Sequence, residues 1–420
     1  MNRRALLQSL GAALISPRLI SRLISEVEAE SANLGERSPE DVARDEAFWA
    51  VVRQAYDQSA HFVNLESGYY SPAARPVLEA QIENLERINE TPSFYMRRRR
   101  VEEREALRRL VADFAGSTPE ELAIVRNTTE ALNVVIHGLE LEDGAEALMA
   151  EQEYPSMLEA FEQRHRRYGL KLQTLTLPNV PESPEAIVEL YRRAITPKTK
   201  VVLVSYVVFL NGLILPVKEI CRVAHEAGAE VIVDAAHAFA HVDFDIRDLG
   251  CDYFATSLHK WLGAPLGNGL LWVKRDKIPK VWPLFGDTRV APDDIRKFEH
   301  IGTHSIPTKL AIADAIRFHQ SIGGERKEAR LRYLKDRWAN RVKDIQGVTL
   351  NTPLDPRKSC AIANFEVAGQ EPKETAERLF DRYRLFTVGV KTGVRVAPNL
   401  HNTLDDIDRL VTAVEELSRG

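Results

Sequence analysis

Cysteine is scarce in this chain, which has three in 420 residues: Cys221, Cys251 and Cys360. No two of them are spaced as a CxxC pair or as metal ligands, so the pattern excludes a disulfide framework and a cysteine-bound metal centre. Cys221 falls on the apolar face of a predicted helix and Cys251 lies beside a predicted strand. Both positions favour buried, unreactive thiols.

A long apolar run and a strong excess of one charge are also missing. No segment has the length of a transmembrane helix, so we expect no stable membrane insertion. The net charge of −5 is too small to indicate a nucleic-acid partner. The short basic run Arg97–Arg100 is read in two ways, as a solvated helix face or as the entrance for an anionic substrate.

The first residues carry paired arginines, Arg3 and Arg4, ahead of a modestly apolar stretch that ends near Ser16. That order predicts a twin-arginine export signal within residues 1–30 and therefore a periplasmic protein. Arg18 and Arg22 soon interrupt the stretch, so the alternative is an amphipathic extension of a cytoplasmic protein.

The chain is long enough for two domains that share a cleft. We expect an N-terminal helical segment over residues 31–60, a large domain over 61–305 and a small C-terminal α/β domain over 306–420. Helices are predicted over 38–58, 97–115, 217–227 and 311–322. Strands are predicted at 122–125, 146–150, 171–176, 201–208, 230–234 and 253–256, then an antiparallel strand at 269–274. This alternation favours a mainly parallel seven-stranded sheet with helices on both faces. In the C-terminal domain, strands are expected at 348–350, 361–367 and 386–390 together with two helices.

Two consecutive predicted strands end in polar side chains. Residues 230–237, EVIVDAAH, place Asp234 and His237 after an apolar run, and residues 255–260, ATSLHK, end in Ser257, His259 and Lys260. The carboxyl ends of parallel strands are where α/β sheets bind ligands. An acid that keeps a pyridinium protonated and a lysine that forms an imine are what pyridoxal phosphate (PLP) requires of a protein.

These motifs resemble the class V aminotransferase family of fold-type I PLP enzymes, which includes cysteine desulfurases, kynureninase and isopenicillin N epimerase-like proteins. The resemblance covers roughly residues 60 to 415. It implies that Lys260 is the Schiff-base lysine and Asp234 the partner of the pyridine nitrogen. It also implies that His237 sits by the ring oxygen while Ser257 and His259 hold phosphate.

The segment 126–133, RNTTEALN, follows a strand and opens a helix. By itself it is either an ordinary helix cap or a phosphate site, and the family's phosphate loop matches Thr128 and Thr129. The resemblance also places Tyr154 over the pyridine ring. Gly302 and Thr303 resemble a pair that reaches the phosphate of the neighbouring subunit, which implies a homodimer.

Arg395 lies where the family has an arginine that grips the substrate α-carboxylate with its two-pronged guanidinium. Cysteine desulfurases carry a nucleophilic cysteine just before this arginine, but residues 391–395 here are KTGVR. Phe209 stands about where desulfurases have an asparagine. Both departures favour the epimerase-like branch over persulfide chemistry.

We therefore expect a PLP-dependent enzyme that acts on the α-amino group of an amino acid, free or carried by a peptide. Aminotransferase activity comes first, epimerisation second and a C–S lyase third. Motifs establish the shared steps but not where the α-proton goes. A non-catalytic binding protein on the same scaffold is the alternative of another class, although such a relative is expected to lose Lys260 or Asp234.

Overall fold

The computed structural model of this protein describes residues 22–419. The arginine pair and apolar stretch that predict the export signal lie outside the described residues. Within the described residues, every helix is too short or too polar to cross a bilayer.

The secondary structure alternates helix and strand through most of the chain. The helices are α1 (Arg22–Asn33), α2 (Pro39–Ala43), α3 (Glu46–Arg53), α4 (Arg75–Glu90), α5 (Pro92–Arg98), α6 (Arg100–Phe114), α7 (Thr128–Gly138), α8 (Pro155–Tyr168), α9 (Pro184–Ala194), α10 (Val217–Glu226), α11 (Ile306–Leu310), α12 (Ile312–Ile322), α13 (Gly324–Val342), α14 (Pro372–Tyr383) and α15 (Leu404–Ser418). The strands are β1 (Val63–Asn64), β2 (Leu122–Val125), β3 (Glu146–Ala150), β4 (Lys171–Leu175), β5 (Thr199–Ser205), β6 (Glu230–Asp234), β7 (Tyr253–Ser257), β8 (Gly269–Val273), β9 (Val348–Leu350), β10 (Ala363–Val367), β11 (Leu385–Phe386), β12 (Val388–Val390) and β13 (Gly393–Val396). Short 3₁₀ turns cover Ile246–Leu249, Arg275–Lys280 and Ile295–Glu299.

The large domain is built on one seven-stranded sheet in the order β2-β8-β7-β6-β5-β3-β4. Strand β8 pairs antiparallel with both β2 and β7, whereas the other pairs are parallel. The predicted sheet, including its one antiparallel strand, is therefore confirmed. Six strands consequently have their carboxyl ends at the same edge.

Both faces of this sheet are buried. Successive side chains of a strand point to opposite faces, so each strand contributes to a core on either side. In β6, Val231 and Val233 pack in one core cluster and Ile232 packs in the other. Helices α9, α10 and α12 cover the first face, and α7 and α8 cover the second. The run of aliphatic residues predicted as a parallel strand is thus apolar at every position because it has no solvated face.

The smaller domain has its own core around an antiparallel sheet in the order β12-β13-β10-β9. The predicted strand 386–390 is interrupted at Thr387, giving β11 and β12, and β13 was not predicted. Strand β1 pairs with β11, with Val63 opposite Leu385. The chain therefore contacts the small domain at β1 before it continues into the large domain. The residue Leu65 packs in the small core.

Two predicted helices are each divided in the structure. The helix predicted over 38–58 is α2 and α3, because the Asp45 carboxylate caps a new helix by accepting from Ala47 N–H and Phe48 N–H. The helix predicted over 97–115 begins as α6 after a break at Arg99, where φ is −113°. After Gly323 the structure has three helices, α13, α14 and α15, where two were predicted. Helix α12 packs against the large core, which therefore extends past residue 305.

Candidate active site

The carboxyl ends of the parallel strands surround a cavity of about 310 Å³. Eight of the eleven residues singled out from the sequence line it: Thr128, Thr129, Tyr154, Asp234, His237, Ser257, His259 and Lys260. The other three are not among the lining residues: Gly302, Thr303 and Arg395. The fold therefore brings together, around one cavity, residues that are up to 132 positions apart in the sequence, from Thr128 to Lys260.

Lys260 follows β7 in the turn that leads toward β8, and its side chain is buried against the cavity. Its Nζ lies 3.1 Å from His237 Nε2. It also lies 5.8 Å from the ring centre of Tyr69 and 6.0 Å from that of Tyr154. Burial lowers the pKa of this amine from its ordinary 10.5 to about 8, with the Asp234 carboxylate opposing the shift. Lys260 therefore supplies a neutral, nucleophilic amine far more readily than a surface lysine.

Asp234 is the last residue of β6, directly opposite Ser205 of β5. Its Oδ1 accepts a hydrogen bond from Ala236 N–H at 2.9 Å. Burial raises the pKa of the carboxyl, and the Ala236 bond and the charge of Lys260 offset part of that shift. A carboxylate in such a site gains from a buried cationic N–H partner, since an unpaired buried charge is costly.

His237 has one nitrogen without a hydrogen-bond partner. Its Nε2 faces Lys260, whereas its buried Nδ1 is unpartnered among the described residues. Burial lowers the pKa of the ring well below its ordinary value. A buried nitrogen of this kind needs a partner, and the cavity it lines is where a ligand atom can provide one.

A cradle for an anion forms where α7 begins. Asn127 rather than a threonine caps this helix, accepting from Glu130 N–H at 2.8 Å. Thr128 is thereby free to bond Ser257: its N–H donates to Ser257 Oγ at 3.0 Å, and the two hydroxyl oxygens are 2.7 Å apart. Helix N-termini with free N–H groups and hydroxyls bind phosphate. The helix cap is therefore on Asn127, and the phosphate role of Thr128 and Thr129 stays a prediction.

His259 and Gly269 complete the cradle. His259 Nδ1 lies 3.1 Å from the Asn268 carbonyl oxygen, which leaves Nε2 for the cavity. At Gly269 a Cβ would lie 2.7 Å from the Cα of Asn127 and 2.8 Å from the Thr256 oxygen. The missing side chain therefore lets β8 pass directly behind the phosphate loop.

Aromatic rings form one wall of the cavity. The rings of Tyr154 and Phe209 meet edge to face with centres 5.5 Å apart, and Tyr69 lies 6.3 Å from Tyr154. Tyr154 follows β3 and immediately precedes α8, so the start of that helix determines its position. Flat hydrophobic surfaces of this kind suit a planar ring.

The sequence reasoning missed a buried carboxyl at the end of β3. Glu153 accepts from the Ser205 N–H at 3.0 Å and from the Ser205 hydroxyl. Burial raises its pKa to about 8, and the neighbouring Asp234 adds to the shift. Glu153 fixes Ser205, which lines the cavity beside Asp234. Glu153 follows the predicted strand 146–150 at the same distance as His237 follows the strand 230–234, so the same strand-end rule identifies it.

Arg395 lies on β13 of the small domain and is fully buried. Its Nε and Nη2 donate to the two carboxylate oxygens of Glu66 at 3.0 and 2.7 Å, and its Nη1 donates to the Phe209 carbonyl at 2.8 Å. Its guanidinium carbon lies 4.1 Å from the ring centre of Tyr69. The two-pronged site expected for a substrate carboxylate is therefore filled by the chain's own glutamate.

The other predicted features lie outside the cavity. Gly302 and Thr303 are exposed, and so are Arg97, Arg98 and Arg99 of the basic run. In this arrangement the run is a solvated surface of α5 and the turn that follows it.

The cysteines are all buried, and none lines the cavity. Burial raises the thiol pKa of Cys221 and Cys360 to about 12. Thiolate nucleophiles need the opposite shift. The described residues contain no cluster of histidine, cysteine and carboxylate side chains that could hold a metal.

The residues present fit pyridoxal phosphate on three observations. His237, whose Nδ1 is unpartnered among the described residues, and Asp234, whose carboxyl is buried, line the same cavity as Lys260. A hydroxyl-rich helix start lies at the phosphate end, held close by Gly269. When bound, this cofactor withdraws electrons from the carbon next to the substrate nitrogen.

Comparison with known proteins agrees with this geometry. A family model described as aminotransferase class-V matches residues 65–410. Isopenicillin N epimerase of Streptomyces clavuligerus is 31% identical over 397 residues, 89% of this chain and 99% of the relative. The enzyme of the same name from Amycolatopsis lactamdurans is 31% identical over 394 residues, 88% of this chain and 99% of the relative. The apo structure of a cysteine desulfurase from Thermococcus onnurineus NA1 superimposes with a TM-score of 0.76 at 23% identity, covering 92% of this chain and 99% of that one.

Proposed function

Because the chain belongs to the class V aminotransferase family, whose members use pyridoxal phosphate, we propose that it is an aminotransferase acting on an α-amino group. The observation that carries this proposal is the Lys260 amine, whose pKa is lowered to about 8 inside a cavity that also holds Asp234 and a phosphate cradle. The substrate class is the α-amino group of an amino acid, free or carried by a peptide.

The residues divide the work by position. Thr128, Thr129, Ser257 and His259 bind the phosphate and fix the register of the cofactor along the cavity. Asp234 orients the pyridine ring and keeps the proton on its nitrogen, and His237 donates to the ring oxygen. Tyr154 packs on the ring and excludes water from one side.

With PLP bound, Lys260 would hold the cofactor through its amine and would be the group that takes up and returns the substrate α-proton. A lysine with a pKa near 8 takes up and returns protons at neutral pH, because both forms are populated. Among the described residues, Lys260 is the one lysine that lines the cavity. A single lysine available to move the proton would favour transamination.

Epimerisation is the second candidate, favoured by the two epimerases at 31% identity over nearly the whole chain. It requires a second proton donor besides Lys260, and the cavity wall contains the phenols of Tyr69 and Tyr154. A C–S lyase remains the third candidate, and a non-catalytic PLP-binding protein the last.

One experiment separates these outcomes. The PLP-loaded protein is incubated in deuterated water with single L-amino acids, amides and peptides, with and without an oxo-acid acceptor. A new keto product with acceptor-dependent turnover supports the aminotransferase. Deuterium at Cα together with D-product and no keto product would instead establish the epimerase, and pyruvate without an acceptor a lyase.

We further propose that a second copy of the chain completes the site and that the protein is exported. The exposure of Gly302 and Thr303 away from their own cavity supports the first proposal. Its test is whether mixing Lys260→Ala with Thr303→Arg chains restores activity that each lacks alone. The paired Arg3 and Arg4 support twin-arginine export, and retention of the mature protein in the cytoplasm would contradict it.

A further inference from the structure

The carboxylate of Glu66 occupies the fork of Arg395, the guanidinium that the family resemblance assigns to a substrate α-carboxylate. Both side chains are inaccessible, at 2% and 0% exposure. Glu66 uses both oxygens on the guanidinium, and its Oε1 also accepts from Tyr69 N–H at 3.1 Å. A Cβ on Gly68 would approach Glu66 Oε1 to 3.0 Å, so the turn is packed tightly around the pair.

The pair is held by long-range structure rather than by a flexible side chain. Strand β1 pairs with β11, and Glu66 forms a parallel bridge with Ala397 just beyond β13. These contacts place Glu66 beside Arg395 across 329 positions of sequence. Rotating either side chain away would strand a buried charge without a partner, which is strongly unfavourable.

Apart from Lys260, the described residues that line the cavity offer a carboxylate no lysine or arginine partner. The wall near Arg395 is formed by the aromatic rings of Tyr69 and Phe209. A free carboxylate bound there would lose its hydration, would find no cationic partner and would lie near Glu66, which has the same charge.

We propose that the substrate is an α-amine whose carboxyl group is tied up as an amide, as in the N-terminal residue of a peptide. This inference rests on the proposed function and names its substrate class. An amide carbonyl is uncharged, so it needs no guanidinium, yet it still acidifies the neighbouring α-proton. The cavity opens past Tyr70 and Leu266, which are 66% and 62% exposed and offer apolar contacts to the continuing chain.

The test compares matched pairs of substrates on the PLP-loaded wild-type protein. Each amino acid is assayed as the free acid, the carboxamide and the N-terminal residue of a dipeptide, with rates expressed per unprotonated amine. We expect kcat/KM for the amide or dipeptide to exceed that for the free acid by at least about 100-fold, since the mismatch leaves a buried charge unpaired. Equal rates, or a preference for the free acid, would overturn the inference.

A second readout does not depend on turnover. Acetate is titrated calorimetrically into wild-type holoenzyme and into Glu66→Gln, which removes the carboxylate charge from the Arg395 fork. We expect acetate to bind Glu66→Gln at least tenfold more tightly than wild type. The matched control is Glu299→Gln, because Glu299 also pairs with a fully buried arginine, Arg108, but does not line the cavity. Acetate bound equally by wild type and Glu66→Gln would contradict the proposal.

Different results would refute the proposed function and the proposed substrate class. A protein that takes up no PLP, or whose PLP reacts with no amine, refutes the proposed function. A holoenzyme that transaminates free amino acids as fast as their amides leaves the proposed function intact and refutes only the assignment of substrate class. If Glu66→Gln does not fold, the wild-type comparison of acids and amides still decides.

Discussion

The ionisation of Lys260 determines how fast the apoprotein captures PLP. The attacking form is the neutral amine, and burial brings the pKa of this group from 10.5 to about 8. At pH 7 that leaves roughly a tenth of the protein with a neutral amine, against about 0.03% for an ordinary lysine. The capture rate should therefore rise about tenfold per pH unit below pH 8 and level off above it.

The groups that act on this amine are also identified by the structure. The charges of Asp234 and Glu66 raise the pKa of Lys260, and the charge of Arg395 lowers it. Removing the Asp234 charge in Asp234→Asn should consequently move the midpoint to lower pH, by about one unit. A control is Glu153→Gln, which removes a buried carboxyl that does not contribute to the pKa of Lys260 and should leave the midpoint unchanged.

The assay is stopped-flow mixing of apoprotein with PLP across the pH range, followed by the visible absorption of lysine-bound cofactor. Lys260→Ala supplies the blank, since it lacks the amine. A midpoint near pH 10 in the wild type would refute the burial argument. A midpoint that rises in Asp234→Asn would refute the assignment of Asp234 as the carboxylate that stabilises the charged lysine.

The remaining predictions concern the phosphate cradle and the buried core. Ser257→Ala should weaken PLP binding by about tenfold, the value of one hydrogen bond to a charged group, in equilibrium dialysis, whereas Ser321→Ala, a buried serine away from the cavity, should not. Gly269→Ala should lower both PLP affinity and melting temperature because its Cβ would lie 2.7 Å from a backbone atom of the phosphate loop; Gly286→Ala, with open space around it, serves as its control, and equal behaviour of the two would contradict the close-packing argument. Three histidines away from the cavity are buried with a lowered pKa: His241, His319 and His401. In the unfolded chain each of these rings takes up a proton near pH 6.5, whereas in the folded chain it does not. The contribution of each histidine to the free energy of unfolding should therefore be fully present above that pH and fall by up to about 1.4 kcal/mol per pH unit below it. Urea unfolding at several pH values between 5 and 8, compared between wild type and His401→Gln, separates this loss from the opposite contribution of Glu153, whose raised pKa favours the folded state as the pH falls. Identical pH profiles of the two proteins would show that the ring is not kept neutral.

The site could be predicted wherever its residues follow local rules. Asp234 ends strand β6 and Lys260 follows strand β7 by one short turn, and parallel strands bring their ends together whatever the loops between them do. The phosphate segment was recognisable for the same reason, although the sequence could not show that Asn127 takes the capping role and leaves Thr128 to Ser257. That division depends on a contact across 129 residues.

The features that sequence reasoning missed depend on tertiary contacts. Nothing near Arg395 in the sequence indicates that Glu66 fills its fork, because the pair forms only when β1 crosses to the small domain. Strand β13 is four residues long and gains its place from pairing with β10 and β12. The break at Asp45 was visible in principle, since aspartate is a strong helix cap.

The absorption spectrum of the purified protein, recorded after PLP is added and excess cofactor is removed, tests directly whether Lys260 binds PLP. We expect a visible band in the wild type that borohydride reduction fixes to Lys260, and no such band in Lys260→Ala. A wild-type protein that retains no PLP, or a reduced adduct on another lysine, would contradict this expectation.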